Sequence, residues 1–144
     1  MSGQKWDNRF LDMAKLVSTW SKDPSTKVGA VITDDNNRVI SLGYNGFPKN
    51  IQDNNRLFDR ETKYNIVVHA EANALMFASK SVKGCTLYTW PFQPCSKCAA
   101  LIIQSGIKRV VTVVQNDDRW EKNFKISRSL FEESGVKLDY INER

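Results

Sequence analysis

Residues 109–114, with the sequence Arg-Val-Val-Thr-Val-Val, form a strong and continuous β-type run in this chain of 144 residues. An unbroken apolar run of this kind is typical of a strand that is buried on both faces of a sheet. Such a strand needs a covering layer on each side, and helices commonly supply both layers. The run therefore favours a layered α/β fold.

Helical and strand patterns alternate along the rest of the chain. Apolar residues at helical spacing predict helices over 6–20, 70–79, 98–104 and 120–134. Short β-type runs predict strands over 28–33, 38–44, 86–90 and 136–141. Together with the run at 109–114, the order is α-β-β-α-β-α-β-α-β. This order predicts a single domain over residues 1–144, an α/β fold built as a three-layer α/β/α sandwich around a five-stranded mixed sheet.

Residues 45–66 are predicted to be a loop, because they contain Gly46, Pro48 and several Asn and Asp residues. A helical turn is predicted near residues 56–60. A stretch of about twenty residues without regular structure is uncommon inside a compact domain and usually has a function.

The composition is that of an ordinary globular protein, with 41% hydrophobic and 26% charged residues. No run of about 18 apolar residues exists, so no membrane association is expected. The first seven residues lack the apolar core of a signal peptide, which predicts a cytoplasmic protein. The net charge of +5 favours anionic partners such as nucleotides. Because no block of five or six consecutive Lys and Arg residues is present, no nucleic-acid partner is expected.

The residues that carry chemistry lie in two short motifs, His69-Ala70-Glu71 and Pro94-Cys95-Ser96-Lys97-Cys98. One imidazole and two thiolates make three ligands for a zinc ion and leave the fourth tetrahedral position open, as in a catalytic site. The pattern H-x-E…P-C-x-x-C is the one known for zinc-dependent nucleobase deaminases. An alternative is a closed, structural zinc site in which Cys85 is the fourth ligand.

Both motifs lie where a helix is predicted to begin, and a helix N-terminus lowers the pKa of a nearby thiol. Zinc lowers the pKa of bound water from about 16 toward about 7. Glu71 is then placed to accept a proton from water and to deliver protons to a ring nitrogen and to departing ammonia. Alternatively, Glu71 is only an acidic residue in the first turn of a helix.

Six motifs extend this pattern, and through them the sequence resembles the deoxycytidylate (dCMP) deaminases of the zinc-dependent cytidine deaminase superfamily. The resemblance covers roughly residues 8–140, and its motifs lie at 23–32, 43–48, 68–75, 86–88, 94–99 and 103–107. The zinc motif is shared by the whole superfamily, whereas Gly43-Tyr44-Asn45-Gly46 points to the dCMP branch. The resemblance implies a cytidine deaminase-like fold.

The resemblance also implies roles for individual residues. His69, Cys95 and Cys98 are expected to bind one zinc ion per subunit, with Glu71 as the proton shuttle. For the substrate, the resemblance implies that Asn45 contacts the deoxyribose 3′-hydroxyl and that the main chain around Ala70 contacts the pyrimidine edge. We expect the phosphate to be bound by Ser25, Thr26 and Lys27. We also expect Trp120, beside Arg119, to close over the nucleotide. The alternatives are a turn residue at Asn45, a solvated loop at 25–27 and a surface role for Arg119 and Trp120.

The implied reaction is hydrolytic deamination of dCMP to dUMP and ammonia, which supplies dUMP for dTTP synthesis. Some family members have an arginine in the loop where this chain has Ser25-Thr26-Lys27, so acceptance of dCTP stays open. Members of the family are commonly oligomers, here expected to be a homo-hexamer or dimer. They are regulated by dCTP and dTTP, with Mg²⁺ accompanying the nucleotide, and the residues expected to bind these effectors are Tyr44, Gly46 and Phe47.

Other functions share the zinc motif, and one alternative is the deamination of free cytosine, guanine or cytidine. A tRNA adenosine deaminase would need a basic surface for the RNA backbone. The predicted C-terminal helix is mixed in charge, which disfavours that function. A third alternative is a zinc-stabilised interaction domain without turnover.

Overall fold

The computed structural model describes residues 2–143 and contains five strands and five helices within that range. The strands are β1 (Gly29–Thr33), β2 (Val39–Tyr44), β3 (Thr86–Trp90), β4 (Arg109–Val113) and β5 (Lys137–Ile141). The helices are α1 (Ser2–Ser18), α2 (Arg60–Ile66), α3 (Ala70–Met76), α4 (Ser96–Ser105) and α5 (Glu121–Ser134). The predicted α/β class and five-stranded mixed sheet are confirmed.

The sheet has the strand order β2-β1-β3-β4-β5. Strand β1 pairs antiparallel with both β2 and β3, whereas β3, β4 and β5 run parallel. Gly29, at the start of β1, pairs with Tyr44 at the end of β2 and with Trp90 at the end of β3. The loops that precede β1 and that follow β2, β3 and β4 therefore meet at one edge of the sheet.

Alternating residues of the central strands face two separate apolar clusters, because successive side chains of a strand point to opposite faces. Val31, Tyr88 and Val111 pack against Phe10, Leu11 and Ala14 of α1 on one face. On the other face, the cluster joins Ala30, Ile32, Leu87 and Val110 of the sheet to residues of α3, α4 and α5. The fold is thus the predicted three-layer sandwich.

Two glycines allow helices to approach the sheet closely. A Cβ atom at Gly29 would lie 2.0 Å from the carbonyl oxygen of Ala14 in α1. A Cβ atom at Gly43 would lie 2.2 Å from the carbonyl oxygen of Ala70 and 2.5 Å from the nitrogen of Ala74, both in α3. Gly43 therefore sets how closely the beginning of α3 packs on β2.

The stretch 45–66 is more regular than the predicted loop. A single 3₁₀ turn at Asn55–Phe58 is capped by Asn54, whose side chain accepts a hydrogen bond from the nitrogen of Arg56. Helix α2 follows directly, so the helical turn predicted near residues 56–60 is the first part of a longer helical segment. None of the helices described is both long and apolar enough to cross a membrane.

Candidate metal centre and active site

The candidate site lies at the sheet edge where the loops around β1, β2, β3 and β4 meet. His69 is the N-cap residue of α3 and Cys95 is the N-cap residue of α4. Each has extended backbone dihedral angles, and neither side chain makes a capping hydrogen bond. Both side chains are therefore available to a ligand, and both lie at the positive end of a helix dipole.

His69, Cys95 and Cys98 form the metal-type cluster within the described part of the chain, with their ligand atoms all within 4.8 Å of one another. The Nδ1 atom of His69 lies 3.4 Å from the Sγ atom of Cys95 and 3.3 Å from the Sγ atom of Cys98. Tetrahedral zinc with ordinary bond lengths separates a nitrogen and a sulfur ligand by about 3.6 Å. The three residues thus fit one zinc ion, with a fourth position left for substrate or water.

Cys85 cannot complete a closed site. It directly precedes β3, and its backbone bonds to Val82 and Lys108, whereas Cys95 follows the opposite end of the same strand. A five-residue strand spans roughly 16 Å. The Cys85 thiol is buried in the apolar cluster between the sheet and α4, and the alternative of a fully coordinated structural zinc is therefore wrong.

The electrostatics of the cluster favour an ionised sulfur. A hydrogen bond from the Cys98 thiol, together with the nearby His69 ring, lowers the pKa of Cys95. The hydrogen bond with Cys95 raises the pKa of His69, although burial acts in the opposite direction. The cluster therefore favours a thiolate at Cys95, the form in which zinc binds cysteine, while zinc binding at His69 would release the proton that the raised pKa retains on its ring.

Glu71 lies in the first turn of α3 and is 4% exposed. Burial raises the pKa of its carboxyl group to about 7, although the charge of His69 acts in the opposite direction. Such a pKa suits a group that must both accept and donate a proton near neutral pH. A residue that served only to complement the helix dipole could do so from an exposed position without the desolvation cost of burying a carboxylate, which disfavours that interpretation.

A cavity of about 380 Å³ opens beside the metal cluster and is lined by His69, Glu71 and Cys95. This volume is in the range of small-molecule sites. Four of the predicted substrate residues line the cavity: Thr26, Asn45, Ala70 and Trp120. The cavity thus brings together predicted site residues from five separate segments of the chain.

The Asn45 side chain holds two loop segments as well as lining the cavity. Its Oδ1 atom accepts a hydrogen bond from the nitrogen of Val28, and its Nδ2 atom donates one to the carbonyl oxygen of Thr26. An amide has two N–H donors and two acceptor lone pairs, so one donor and one lone pair remain for a ligand. Contact with a sugar hydroxyl therefore stays a prediction that the geometry permits.

The predicted phosphate loop is arranged differently from the expectation. Ser25 and Lys27 are not among the residues that line the cavity. The Ser25 hydroxyl donates to Asp23, and the Lys27 ammonium donates to the carbonyl oxygen of Ser21. The cation buried in the cavity wall is Lys63 of α2, which pairs with Asp23 at 3.0 Å.

Trp120 lines the cavity, and its ring meets the ring of Tyr64 in α2 edge to face at a centroid distance of 6.2 Å. Arg119 is exposed and pairs with Asp117, so it is not part of the cavity wall. Sequence reasoning missed Lys63, Tyr64, Phe92 and Asn123 as cavity residues. For Lys63 and Tyr64, the only indication in the sequence was that they lie within residues 45–66, the segment predicted to have a function.

Comparisons with known proteins agree with this geometry. Residues 4–114 match the family model of the cytidine and deoxycytidylate deaminase zinc-binding region. An uncharacterised deaminase from the luxG 3′ region of Aliivibrio fischeri is 44% identical over 140 residues, which cover 95% of this chain and 94% of that protein. Human deoxycytidylate deaminase is 39% identical over 141 residues, covering 92% of this chain and 77% of the human protein.

Solved structures give the same result. The crystal structure of dCMP deaminase from cyanophage S-TIM5 in complex with dCMP and dUMP has a TM-score of 0.77 and 26% identity, covering 92% of this chain and 94% of that one. The fold, the His-Cys-Cys cluster and the relatives thus lead to one family. This chain belongs to the zinc-binding cytidine and deoxycytidylate deaminases, as the resemblance implied.

Proposed function

We propose that this protein is a single-domain enzyme that hydrolyses dCMP to dUMP and ammonia. The observation that carries the proposal is the buried Glu71 carboxyl beside the His69, Cys95 and Cys98 cluster, in one cavity of nucleotide size. Support for the substrate comes from relatives named deoxycytidylate deaminase at about 40% identity over nearly the whole chain. The net charge of +5 agrees with an anionic substrate.

The proposed chemistry divides between a metal and the chain's own residues. Zinc, when bound by His69, Cys95 and Cys98, supplies a Lewis acid that makes water acidic enough to lose a proton near neutral pH. Glu71 accepts that proton and delivers it to the ring nitrogen next to the amino-bearing carbon, while the water oxygen bonds to that carbon. Glu71 then carries the second proton of the water to the amino group, the carbon–nitrogen bond breaks, and ammonia leaves as the carbonyl group of dUMP forms. Because the carboxyl group is shielded from solvent, each proton stays within the site.

The test is the loss of cytosine ultraviolet absorbance with purified protein on dCMP, CMP, dCTP and deoxycytidine, with and without a zinc chelator. We expect turnover of dCMP that the chelator abolishes and that added zinc restores. The dCTP sample measures how far the site tolerates a longer phosphate chain. Turnover of tRNA adenosine instead of dCMP, or no turnover by zinc-loaded protein, would contradict the proposal.

Regulation and assembly belong to the same proposal. We propose a cytoplasmic homo-oligomer in which dCTP and dTTP, each with Mg²⁺, act near Tyr44, Gly46 and Phe47. Tyr44 is exposed and packs edge to face on Trp20, and Arg56 lies 5.8 Å from the centre of the Phe47 ring. A dCMP saturation curve that is sigmoidal and shifts with dCTP or dTTP is expected, and a hyperbolic curve unchanged by either nucleotide would contradict this part.

A further inference from the structure

Lys63 is a lysine in an unusual place. It lies on α2, it is only 5% exposed, and it forms part of the wall of the same cavity that Glu71 lines. Lysine is almost never buried to this degree unless it is paired. A well-packed apolar pair is often as stable as a buried ion pair, so the charge itself suggests a role beyond folding.

The position of the Lys63 ammonium group is fixed by Asp23 and Ser25. The Nζ atom donates to Oδ1 of Asp23 at 3.0 Å and to Oγ of Ser25 at 2.7 Å. The same Oδ1 atom accepts hydrogen bonds from the nitrogens of Ser25 and Thr26 and from the Ser25 hydroxyl. This network ties the loop before β1 to α2 and holds the ammonium group in one place.

A donor remains for a ligand after these bonds are counted. An ammonium group has three N–H donors, and the described residues use two of them. The hydroxyl of Thr26, which also lines the cavity, makes no hydrogen bond to any residue between 2 and 143. An ammonium donor and a hydroxyl donor therefore lie on one section of the cavity wall.

Two other lysines near the site are placed less favourably. Lys27 is exposed, does not line the cavity and donates to a backbone carbonyl. Lys97 lines the cavity but is exposed and lies between the two cysteine ligands in sequence, which places it at the metal end.

We propose that Lys63, rather than Lys27, is the cation that recognises the 5′-phosphate of the substrate, with Asp23 holding it in place and Thr26 adding a donor. The inference rests on the proposed function and names the residue that makes the enzyme prefer a nucleotide to a nucleoside. A phosphate would accept hydrogen bonds from Lys63 and Thr26, while the pyrimidine lies toward Glu71 in the same cavity.

The experiment measures kcat/KM for dCMP and for deoxycytidine with zinc-loaded Lys63→Met, Lys63→Arg, Lys27→Met and Lys22→Met variants. Since a hydrogen bond to a charged group is lost, Lys63→Met should lower the dCMP to deoxycytidine ratio roughly 10- to 100-fold. Lys63→Arg keeps the charge and should recover part of the ratio. Lys22, exposed and paired with Asp53, is the matched control and should leave the ratio unchanged.

The ratio compares two substrates on one protein sample, so a smaller folded fraction does not alter it. If Lys63→Met does not fold, the double variant Asp23→Asn/Lys63→Met, which removes both buried charges, is measured in its place. An unchanged ratio in the folded variant, or a loss seen with Lys27→Met and not with Lys63→Met, would overturn the inference.

Calorimetric binding of dUMP and of deoxyuridine separates this inference from the proposed function, because it needs no turnover. The wild-type protein should bind dUMP more tightly than deoxyuridine, and the Lys63→Met change should remove most of that difference. If binding behaves in this way but no deamination occurs, the proposed reaction is contradicted and the phosphate site is supported. If deamination occurs but dUMP binds equally tightly to wild type and variant, the phosphate site is contradicted and the proposed reaction is supported.

Discussion

Glu71 and Asp23 are two buried carboxylic acids whose surroundings shift their pKa in opposite directions. Glu71 forms no ion pair with any residue from 2 to 143, and burial raises its pKa to about 7. For Asp23, burial also acts to raise the pKa, but hydrogen bonds from Thr26, Ser25 and Lys63 outweigh it and the net pKa is lowered. One residue is thus suited to proton transfer and the other to a permanent charge.

Replacing Glu71 by Gln should separate catalysis from metal binding. The amide has nearly the same shape but cannot accept a proton, so zinc content and fold should persist while deamination of dCMP falls roughly 10²- to 10⁴-fold. Metal analysis, circular dichroism and ammonia release measure the three quantities. Turnover at the wild-type rate would rule out Glu71 as the proton shuttle.

Asp23 should make stability depend on acid pH. Because its folded pKa is lowered, its contribution to stability is present above its unfolded value, about 4, and is lost as the pH falls through the folded value. At pH 6, Asp23→Asn should lower the free energy of unfolding by roughly 3–5 kcal/mol, because it leaves the Lys63 charge unpaired.

Urea unfolding of both proteins in the presence of chelator measures this difference free of metal effects. The gap between wild type and Asp23→Asn should shrink as the pH is lowered from 6 to below 4. A gap that is the same at both pH values would show that the Asp23 charge contributes nothing to stability.

Among the elements, α3 determines where two functional side chains lie. It begins directly after His69 and carries Glu71 in its first turn, and its backbone packs closely on β2 at Gly43. The Ala70 and Ala74 backbone atoms that a Cβ atom at Gly43 would meet belong to rigid helix and not to a flexible side chain. A larger residue there must push the whole helix away.

The change Gly43→Ala should therefore weaken zinc binding and lower the free energy of unfolding by roughly 1–3 kcal/mol, as overpacking does. Zinc affinity from competition with a chromophoric chelator and urea unfolding measure the two effects. Gly46→Ala is the matched control for stability, because a Cβ atom at Gly46 meets no atom within 4 Å. Equal zinc affinity in the Gly43 variant and the wild type would contradict this role of the glycine.

The accuracy of the sequence predictions also varied by element. Strand β3 has the bounds predicted, and α4 ends before Gly106, whose φ of 89° is the left-handed conformation that a helix-ending glycine adopts. Helix α3 ends three residues earlier than predicted, because the apolar residues Phe77 and Ala78 continue its pattern beyond its last turn. Helix α2 was missed because its short, polar sequence has little apolar periodicity.

The metal cluster could be predicted because its signal is local, with three ligands in two short motifs. The buried position of Lys63 could not be predicted, because its partner Asp23 lies 40 residues away in the sequence. In sequence alone, a lysine in a polar segment resembles one that is exposed to solvent. The phosphate residues were therefore expected within one loop, whereas the charge in the cavity comes from another element.

On the scale of the whole molecule, the core and the metal site are largely separate. The apolar cluster between α1 and the sheet contains none of the zinc ligands. The apolar cluster on the other face of the sheet includes Cys98, and Cys95 packs against it. Removing zinc should therefore abolish deamination while the sheet stays folded, with a lower Tm because metal binding stabilises the folded state.

Circular dichroism and activity, before and after chelation, measure both quantities, and one equivalent of zinc per chain should restore activity. A chain that unfolds completely when the metal is removed would show that zinc has the structural role of a zinc finger, as in the interaction-domain alternative.

Because helices α3 and α4 begin at His69 and Cys95, the positions at which the chain can gain or lose residues are restricted. Each ligand is also the residue at which its helix starts. Inserting or deleting one residue at either start would turn the ligand by about 100° around the helix axis and away from its partners. Loops at the opposite edge of the sheet can lengthen without this effect. Diversification by insertion is therefore expected at the far edge, whereas the segments that lead into α3 and α4 should keep their length.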